Sequence, residues 1–139
     1  MKIDHFAYEV SDLDAAIRFY VEKLGFSIRF DRMVDAKEHE AFAILELDGG
    51  KLELIQALSE NNEPQPFEPP SLRPHYCPHL ALQVEDLDRS LERLAAEGIP
   101  VLRGPLEVPG VAKWLYARDP DWNVIEFCQD LNTGGGTVS

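Results

Sequence analysis

One ten-residue pattern occurs twice in this chain, first from His5 and again from His79, and six of its ten positions are identical at an offset of 74 residues. The two copies read HFAYEVSDLD and HLALQVEDLD. Each opening histidine has a distant glutamate in a short apolar run: Glu53 lies 48 residues after His5, and Glu126 lies 47 residues after His79. An internal repeat constrains the fold more than any local preference does. It predicts two similar halves, each contributing one imidazole and one carboxylate.

Hydrophobic periodicity predicts the same order of elements in both halves: a strand, an amphipathic helix and three further strands. The predicted strands cover residues 3–10, about 26–32, 41–47 and 51–57 in the first half, and about 78–84, 99–103, 112–118 and 123–129 in the second. The apolar positions expected to be buried are Leu13, Ala16, Ile17, Tyr20, Val21 and Leu24 in the first helix, and Leu87, Leu91, Leu94 and Ala95 in the second, at 87–97. The predicted fold class is α+β, with two tandem βαβββ modules whose curved mixed sheets enclose a metal-binding cavity.

The prolines mark the boundary between the halves, because six of the ten fall between residues 59 and 78. A stretch this long without its own periodicity is typical of a linker or a functional lid. We therefore expect one structural domain with a first module at 1–58, a linker or lid at 59–77 and a second module at 78–130. The glycine-rich tail at 131–139 is expected to be disordered.

Strand alternation predicts which side chains share a face of each sheet. On the opening strands, the apolar residues that alternate with the histidine should pack on the helix, which leaves the histidine and its alternate neighbours on the opposite face. The same alternation puts each glutamate on that face. The residues predicted to lie there are His5, Ala7, Glu9 and Glu53 in the first half, and His79, Ala81, Gln83 and Glu126 in the second. If each sheet curls, this set faces a common cavity, where the two alanines leave room for a small-molecule substrate.

The two imidazoles and two carboxylates of this set predict a metal site. Ionisable groups that line a cavity are costly unless something neutralises them, and one divalent cation balances two carboxylates. Imidazole nitrogen and carboxylate oxygen suit Ni, Co or Zn, and also Mn or Fe(II). The predicted ligands are His5, Glu53, His79 and Glu126. The alternative is a binding cavity without metal.

Composition excludes several kinds of partner. The formal net charge of −12 argues against nucleic acid and against an anionic membrane surface, because both require clustered Lys and Arg. No apolar run approaches the roughly 18 residues of a membrane span. The opening residues lack the pattern of a secretory signal, and Cys77 and Cys128 stand apart as expected of free thiols. A cytoplasmic location is therefore expected.

Several motifs carry a family resemblance. They are the βαβββ repeat, the His-x4-Val-x-Asp-Leu openings, the segment Phe19-Tyr20…Leu24-Gly25-Phe26, and the closing Asp119-Pro120-Asp121-x-Asn123-x-Ile125-Glu126. Together they resemble the vicinal oxygen chelate superfamily over about residues 3–129. Within it, the chain is most similar to the branch of glyoxalase I (lactoylglutathione lyase) and methylmalonyl-CoA epimerase. This resemblance implies the four ligands predicted above, a small-molecule substrate and a homodimer.

The resemblance also implies a reaction: proton transfer through a metal-stabilised enediolate, with Glu126 as the favoured base and Glu53 as its symmetric counterpart. Glu9 stands where bacterial glyoxalase I typically carries an arginine for the glutathione carboxylate, so it disfavours glutathione-linked substrates. Three alternatives remain: an Fe(II) extradiol-type dioxygenase, a fosfomycin-type thiol transferase, and a metal-free small-molecule (drug) binding protein. The two enzyme alternatives need only a triad equivalent to His5, His79 and Glu126, so Glu53 discriminates between them and the lyase.

Overall fold

The computed structural model of the chain describes residues 1–132. It forms two compact units, Met1–Pro69 and Pro70–Ser139, so the expected linker at 59–77 is divided between them. Residues 133–139, most of the tail expected to be disordered, lie outside the described part. No helix within residues 1–132 is long and apolar enough to cross a membrane.

The first unit contains one mixed four-stranded sheet with a helical segment. In chain order its elements are β1 (Phe6–Glu9), α1 (Leu13–Arg18), a π-helical turn (Phe19–Lys23), β2 (Ser27–Asp35), β3 (Glu40–Leu47) and β4 (Gly50–Ala57). The strand order is β1-β4-β3-β2, with β1 parallel to β4 and the other neighbours antiparallel. The sheet is open, with β1 and β2 at its edges.

The second unit repeats this arrangement. Its elements are a 3₁₀ turn (Pro74–Tyr76), β5 (Leu80–Gln83), α2 (Leu87–Ala96), β6 (Val101–Val108), β7 (Ala112–Arg118) and β8 (Val124–Asp130). The strand order is β5-β8-β7-β6, and β5 is parallel to β8. The predicted α+β class, with two mixed sheets of βαβββ order, is confirmed.

Both helices start at an aspartate that accepts hydrogen bonds from amides of the first turn, Asp12 before α1 and Asp86 before α2. Most of the predicted apolar stripe is buried, but Leu91 is only half-buried and two further positions differ. Val21 is only half-buried, because the π-helical turn changes the angular spacing of side chains and directs Phe19 inward instead. Ala95 is exposed, since α2 buries a narrow stripe and Ala95 lies on its flank.

The opening strands are shorter than predicted. β1 begins at Phe6 rather than at residue 3, and Ile3 is 95% exposed, so its place in the alternating pattern does not reflect burial. β5 likewise begins at Leu80 rather than at residue 78. Both histidines therefore immediately precede a strand instead of lying within it.

The edge strands β2 and β6 are longer than predicted, and each contains two irregularities in its pairing. In β2 the register shifts between Ile28 and Phe30 and again between Phe30 and Met33. In β6 it shifts on either side of Arg103. A bulge adds an unpaired residue and breaks the period-two pattern, so the alternation in the sequence ends before the strand does.

Candidate functional site

In the first unit, His5 and Glu53 form a pair on the sheet face opposite the helix. β1 runs parallel to β4 with Ala7 directly beside Glu53, which brings the residue just before β1 close to the carboxylate. His5 Nε2 lies 3.3 Å from Glu53 Oε1. Leu52 and Leu54 on either side of Glu53 are buried, so strand alternation fixes the carboxylate on the opposite face, as predicted.

The second unit builds the same pair from the equivalent elements. β5 runs parallel to β8 with Ala81 directly beside Glu126, and His79 immediately precedes β5. His79 Nε2 lies 3.0 Å from Glu126 Oε1. The neighbours of Glu126, Ile125 and Phe127, are buried. The predicted association of each histidine with its distant glutamate is thus observed within each unit.

The remaining ring nitrogen of His79 is held by the backbone. Its Nδ1 lies 2.9 Å from the carbonyl oxygen of Tyr76, in the turn before β5. Since a carbonyl oxygen only accepts, Nδ1 carries the proton and donates it. The ring of Tyr76 stacks on Tyr116 at 4.8 Å between centroids, and Tyr116 meets the His79 ring edge to face at 5.3 Å. These contacts fix both the tautomer and the plane of the imidazole.

The remaining nitrogen of His5 is held by a carboxylate instead. Its Nδ1 lies 2.7 Å from Asp4 Oδ2, and Lys51 donates to the other oxygen of Asp4 at 2.8 Å. The hydrogen bond from Lys51, and then that from His5, lower the pKa of Asp4 to about 2. Asp4 is therefore ionised at neutral pH, which leaves the proton on Nδ1 of His5.

With Nδ1 as the donor in both rings, a neutral imidazole presents the lone pair of Nε2 to a carboxylate oxygen. Two lone pairs at this distance repel unless a positive charge lies between them. That charge is either a proton on Nε2 or a metal ion bound by both atoms. Histidines that bind metal ions commonly donate the other ring N–H to a carboxylate or a backbone carbonyl, as His5 and His79 do here. The donor chemistry of each pair therefore fits a divalent ion.

Each pair by itself supplies two donors, fewer than the four of the predicted metal site. Among residues 1–132, no three His, Cys, Asp or Glu side chains form a group that could hold a metal ion.

The other predicted site residues lie beside these pairs. Ala7 and Ala81 are the cross-strand neighbours of the two glutamates and are exposed. Ala81 and Gln83 line a cavity of about 300 Å³ in the second unit, together with Glu126. Glu9 is exposed on β1 and lines a much smaller cavity of about 10 Å³.

Burial and neighbouring charges perturb two groups near the glutamates. Burial, followed by the charges of Glu126 and Asp130, raises the pKa of the Cys128 thiol. In the first unit, burial and then the charge of Glu53 raise the pKa of Glu40. Both sheets thus concentrate negative charge around the histidine–glutamate pair.

Sequence reasoning did not identify Asp4, Tyr76 or Tyr116 as parts of the site. Asp4 could have been found as a carboxylate adjacent to a predicted ligand. Tyr116 requires the register of the β7–β8 hairpin, in which it pairs with Glu126. Tyr76 contributes through its carbonyl oxygen, for which the side chain gives no signal.

Comparisons with known proteins identify the family of the chain. A family model described as Glyoxalase/Bleomycin resistance protein/Dioxygenase superfamily matches residues 2–127. Virulence protein STM3117 of Salmonella typhimurium is 30% identical over 136 residues, covering 92% of this chain and 83% of that protein. The lactoylglutathione lyase of Haemophilus influenzae is 30% identical over 139 residues, covering 98% of each protein. The crystal structure of SMU.1112c is similar with a TM-score of 0.73 and 28% identity, covering 92% of this chain and 98% of that one.

Proposed function

Because the chain belongs to the glyoxalase/bleomycin resistance protein/dioxygenase superfamily, we propose that it is a metal-dependent lyase or isomerase of the glyoxalase I type. Its substrate would be a carbonyl compound with an oxygen on the adjacent carbon. The observation that carries this proposal is the tautomer of both histidines, in which Nδ1 is occupied and Nε2 is directed at a glutamate oxygen. The similarity to a lactoylglutathione lyase supports the class of reaction.

We propose that the metal ligands are His5, Glu53, His79 and Glu126, with Ni, Co or Zn as the ion, or Mn or Fe(II). Two imidazole nitrogens and two carboxylate oxygens suit these ions. When bound, such an ion supplies Lewis acidity, which withdraws electrons from a carbonyl group and acidifies the adjacent C–H bond.

The residues of the chain would carry the proton. Glu126 lines the cavity of the second unit, and its side chain is 18% exposed, so a substrate can reach it. Its carboxylate would accept a proton from the substrate carbon and return it to the neighbouring carbon. His79, fixed by the Tyr76 carbonyl, would hold the ion beside Glu126, and Ala81 would leave space there for the substrate. In the first unit, Glu53 would be the symmetric counterpart of Glu126 as a metal ligand.

The test starts with metal analysis of protein purified without chelator, followed by assays with each candidate ion under nitrogen. We expect turnover of an α-oxoaldehyde hemithioacetal without oxygen, since proton transfer causes no net oxidation. Oxygen uptake coupled to product formation would replace this proposal with ring cleavage by a dioxygenase.

Substitution of Glu53 separates the four-ligand lyase from enzymes that need only the triad. Glu53→Ala should lower metal affinity by about 10-fold or more, because it removes one of the ligands. The matched control is Glu46→Ala, on the neighbouring strand β3. Full metal affinity in Glu53→Ala would favour the fosfomycin-type transferase or the extradiol dioxygenase.

The substrate thiol is a separate part of the proposal. Glu9 would repel the carboxylates of glutathione, so we propose that ordinary glutathione hemithioacetals are poor substrates. Glu9→Arg should improve their kcat/KM, and efficient turnover by the unmodified protein would contradict this part alone. By similarity to the superfamily we also propose a homodimer, which light scattering of the purified protein tests.

A further inference from the structure

The cavity of about 300 Å³ lies on the face of the second sheet opposite α2. Its wall combines small apolar side chains with carboxylate, amide and thiol groups. The lining residues are Ala81, Leu82, Gln83, Val111, Ala112, Glu126, Cys128 and Asp130. This volume is within the lower range of small-molecule pockets.

The polar groups follow one strand. Glu126, Cys128 and Asp130 alternate along β8 and therefore project from the same face. At about 6.6 Å for every second residue, the two carboxylates are spaced about 13 Å apart along the strand. One end of the cavity thus lies at Glu126, beside His79, and the other at Asp130, beside Val111. A substrate whose reacting carbon meets Glu126 would direct its remainder towards Asp130.

The end of the first sheet has a second, much smaller cavity. There the cavity measures about 10 Å³, and its lining includes Glu9 and Ala57, the counterparts of Gln83 and Asp130. Gln65, Pro66 and Phe67 also line this small cavity.

The charged side chains that line the cavity are carboxylates, those of Glu126 and Asp130. None of the described residues that line it is Lys or Arg. Lys113 of β7 is directed instead at Asp88 of α2, at 3.9 Å. Arg103 pairs with Tyr116, four residues along β7 from the end where Ala112 pairs with Asp130. Trp114, half-buried and opposite Cys128, adds an aromatic ring to the same face.

We infer that this cavity receives a positively charged group of the substrate, which Asp130 recognises at the end remote from Glu126. A carboxylate attracts a cation and repels an anion, and a nearby aromatic ring also favours a cation. The inference rests on the proposed function for the orientation of the substrate, and it adds the charge class of the substrate's distal group. A substrate with a carboxylate or phosphate there would be disfavoured.

The native thiol of Cys128 offers a test that needs no enzymatic activity. In a Cys77→Ser background, Cys128 is the remaining cysteine of the two in the chain. Three methanethiosulfonates are compared on metal-free protein, with 2-trimethylammonioethyl, 2-hydroxyethyl and 2-sulfonatoethyl groups. The thiolate attacks the sulfenyl sulfur, forms a disulfide and releases methanesulfinate in every case, so the thiolate fraction cancels from the ratio of rates. Each rate is divided by that of free 2-mercaptoethanol with the same reagent.

After this correction, we expect the cationic reagent to react about 10-fold or more faster than the anionic one, with the neutral reagent between them. Asp130→Asn should lower the ratio several-fold while keeping the oxygen that accepts from the Asn132 amide. Glu92→Gln on the exposed side of α2 changes net charge equally and should leave the ratio unaltered. Equal corrected rates, a ratio insensitive to Asp130→Asn, or no reaction of Cys128 at all would each overturn the inference.

A second arm measures kcat/KM for methylglyoxal hemithioacetals of thiocholine, 2-mercaptoethanol and 2-mercaptoethanesulfonate, which carry the same three groups. We expect the cationic substrate to be preferred, and the preference to weaken in Asp130→Asn. If the thiosulfonate ratio holds but no hemithioacetal is converted, the proposed function fails and the charge preference of the cavity stands. If all three are converted at equal efficiency, the inference fails and the proposed function stands.

Discussion

The two units place the same pair of side chains in the same register, yet they hold the histidine by different means. In the first unit the partner is Asp4, an exposed carboxylate, and the side chain of His5 is 38% exposed. In the second unit the partner is the Tyr76 carbonyl, and the side chain of His79 is 14% exposed. Both units therefore direct Nε2 of the histidine at a glutamate oxygen, but the group that holds Nδ1 differs between them.

A second difference concerns the space beside the glutamates. Residues 65–67 line a cavity of about 10 Å³ at the end of the first sheet, whereas the cavity on the second sheet measures about 300 Å³. A glutamate that acts as base needs both a fixed partner and access to the substrate. Glu53 and Glu126 are each 18% exposed, but Glu126 also lines the cavity of about 300 Å³, so under the proposed function we expect Glu126 to transfer the proton and Glu53 to support it.

One matched pair of variants tests this expectation, and we expect it to show the largest effect, on kcat. Glu126→Gln and Glu53→Gln each keep the shape and one oxygen but remove the basicity. We expect Glu126→Gln to lower kcat at saturating metal by about 10²–10⁴-fold, the usual share of a general base. Glu53→Gln should lower it by less than about 10-fold under the same conditions. The reverse order would assign the base to the first unit.

We expect the next largest effect, on metal affinity, from substitution of the residues that hold the histidine rings. Asp4→Ala should weaken metal binding by about 10-fold or more, because the Nδ1 proton of His5 loses its acceptor. Tyr116→Leu should weaken it by only a few-fold, since the carbonyl that holds His79 belongs to the backbone of a short turn. Competition with a chelating dye measures both constants. Equal losses in the two variants would show that the ring stack, rather than the carbonyl, orients His79.

Substitutions of the alanines beside the two glutamates test which sheet the substrate contacts. Ala81→Leu places a larger side chain in the open cavity, and we expect KM to rise by roughly 10-fold, the scale of a misfit of a few methylene groups. Ala7→Leu adds the same volume beside Glu53, at a residue that does not line this cavity. Its effect on KM should be several-fold smaller. A larger effect of Ala7→Leu would indicate that the substrate also contacts the first sheet.

Much of this arrangement could be predicted from the sequence, because it depends on periodicity. The ten-residue repeat gave both the module order and the pairing of each histidine with its glutamate. Alternation then placed Glu53 and Glu126 on the sheet face opposite the helices, since their neighbours are strongly apolar. These features depend on the backbone period of two, which a single sequence reveals.

The remaining features depend on register and on the irregular segments. The bulges of β2 and β6 break the alternating pattern, so the strand ends could not be predicted. Tyr116 and Asp130 acquire their roles only when the β7–β8 pairing is known. Residues 65–67 line the small cavity of the first unit, and proline-rich sequence gives no periodicity from which that position could be inferred.

We expect the smallest effect, on the free energy of unfolding, from substitution of the aspartates that cap the two helices. Asp86 accepts from two amides of α2, those of Asp88 and Arg89, whereas Asp12 accepts from the Ala15 amide of α1. Loss of a cap typically costs about 1 kcal/mol, and we expect Asp86→Ala to cost slightly more than Asp12→Ala.

Both tryptophans, at 114 and 122, belong to the second unit, so their fluorescence during urea unfolding reports that unit directly. Asp86→Ala should shift the midpoint of the fluorescence transition to lower urea. If the units unfold independently, Asp12→Ala should shift only the far-ultraviolet circular dichroism signal. A fluorescence shift of equal size in Asp12→Ala would show that the two units unfold as one cooperative body.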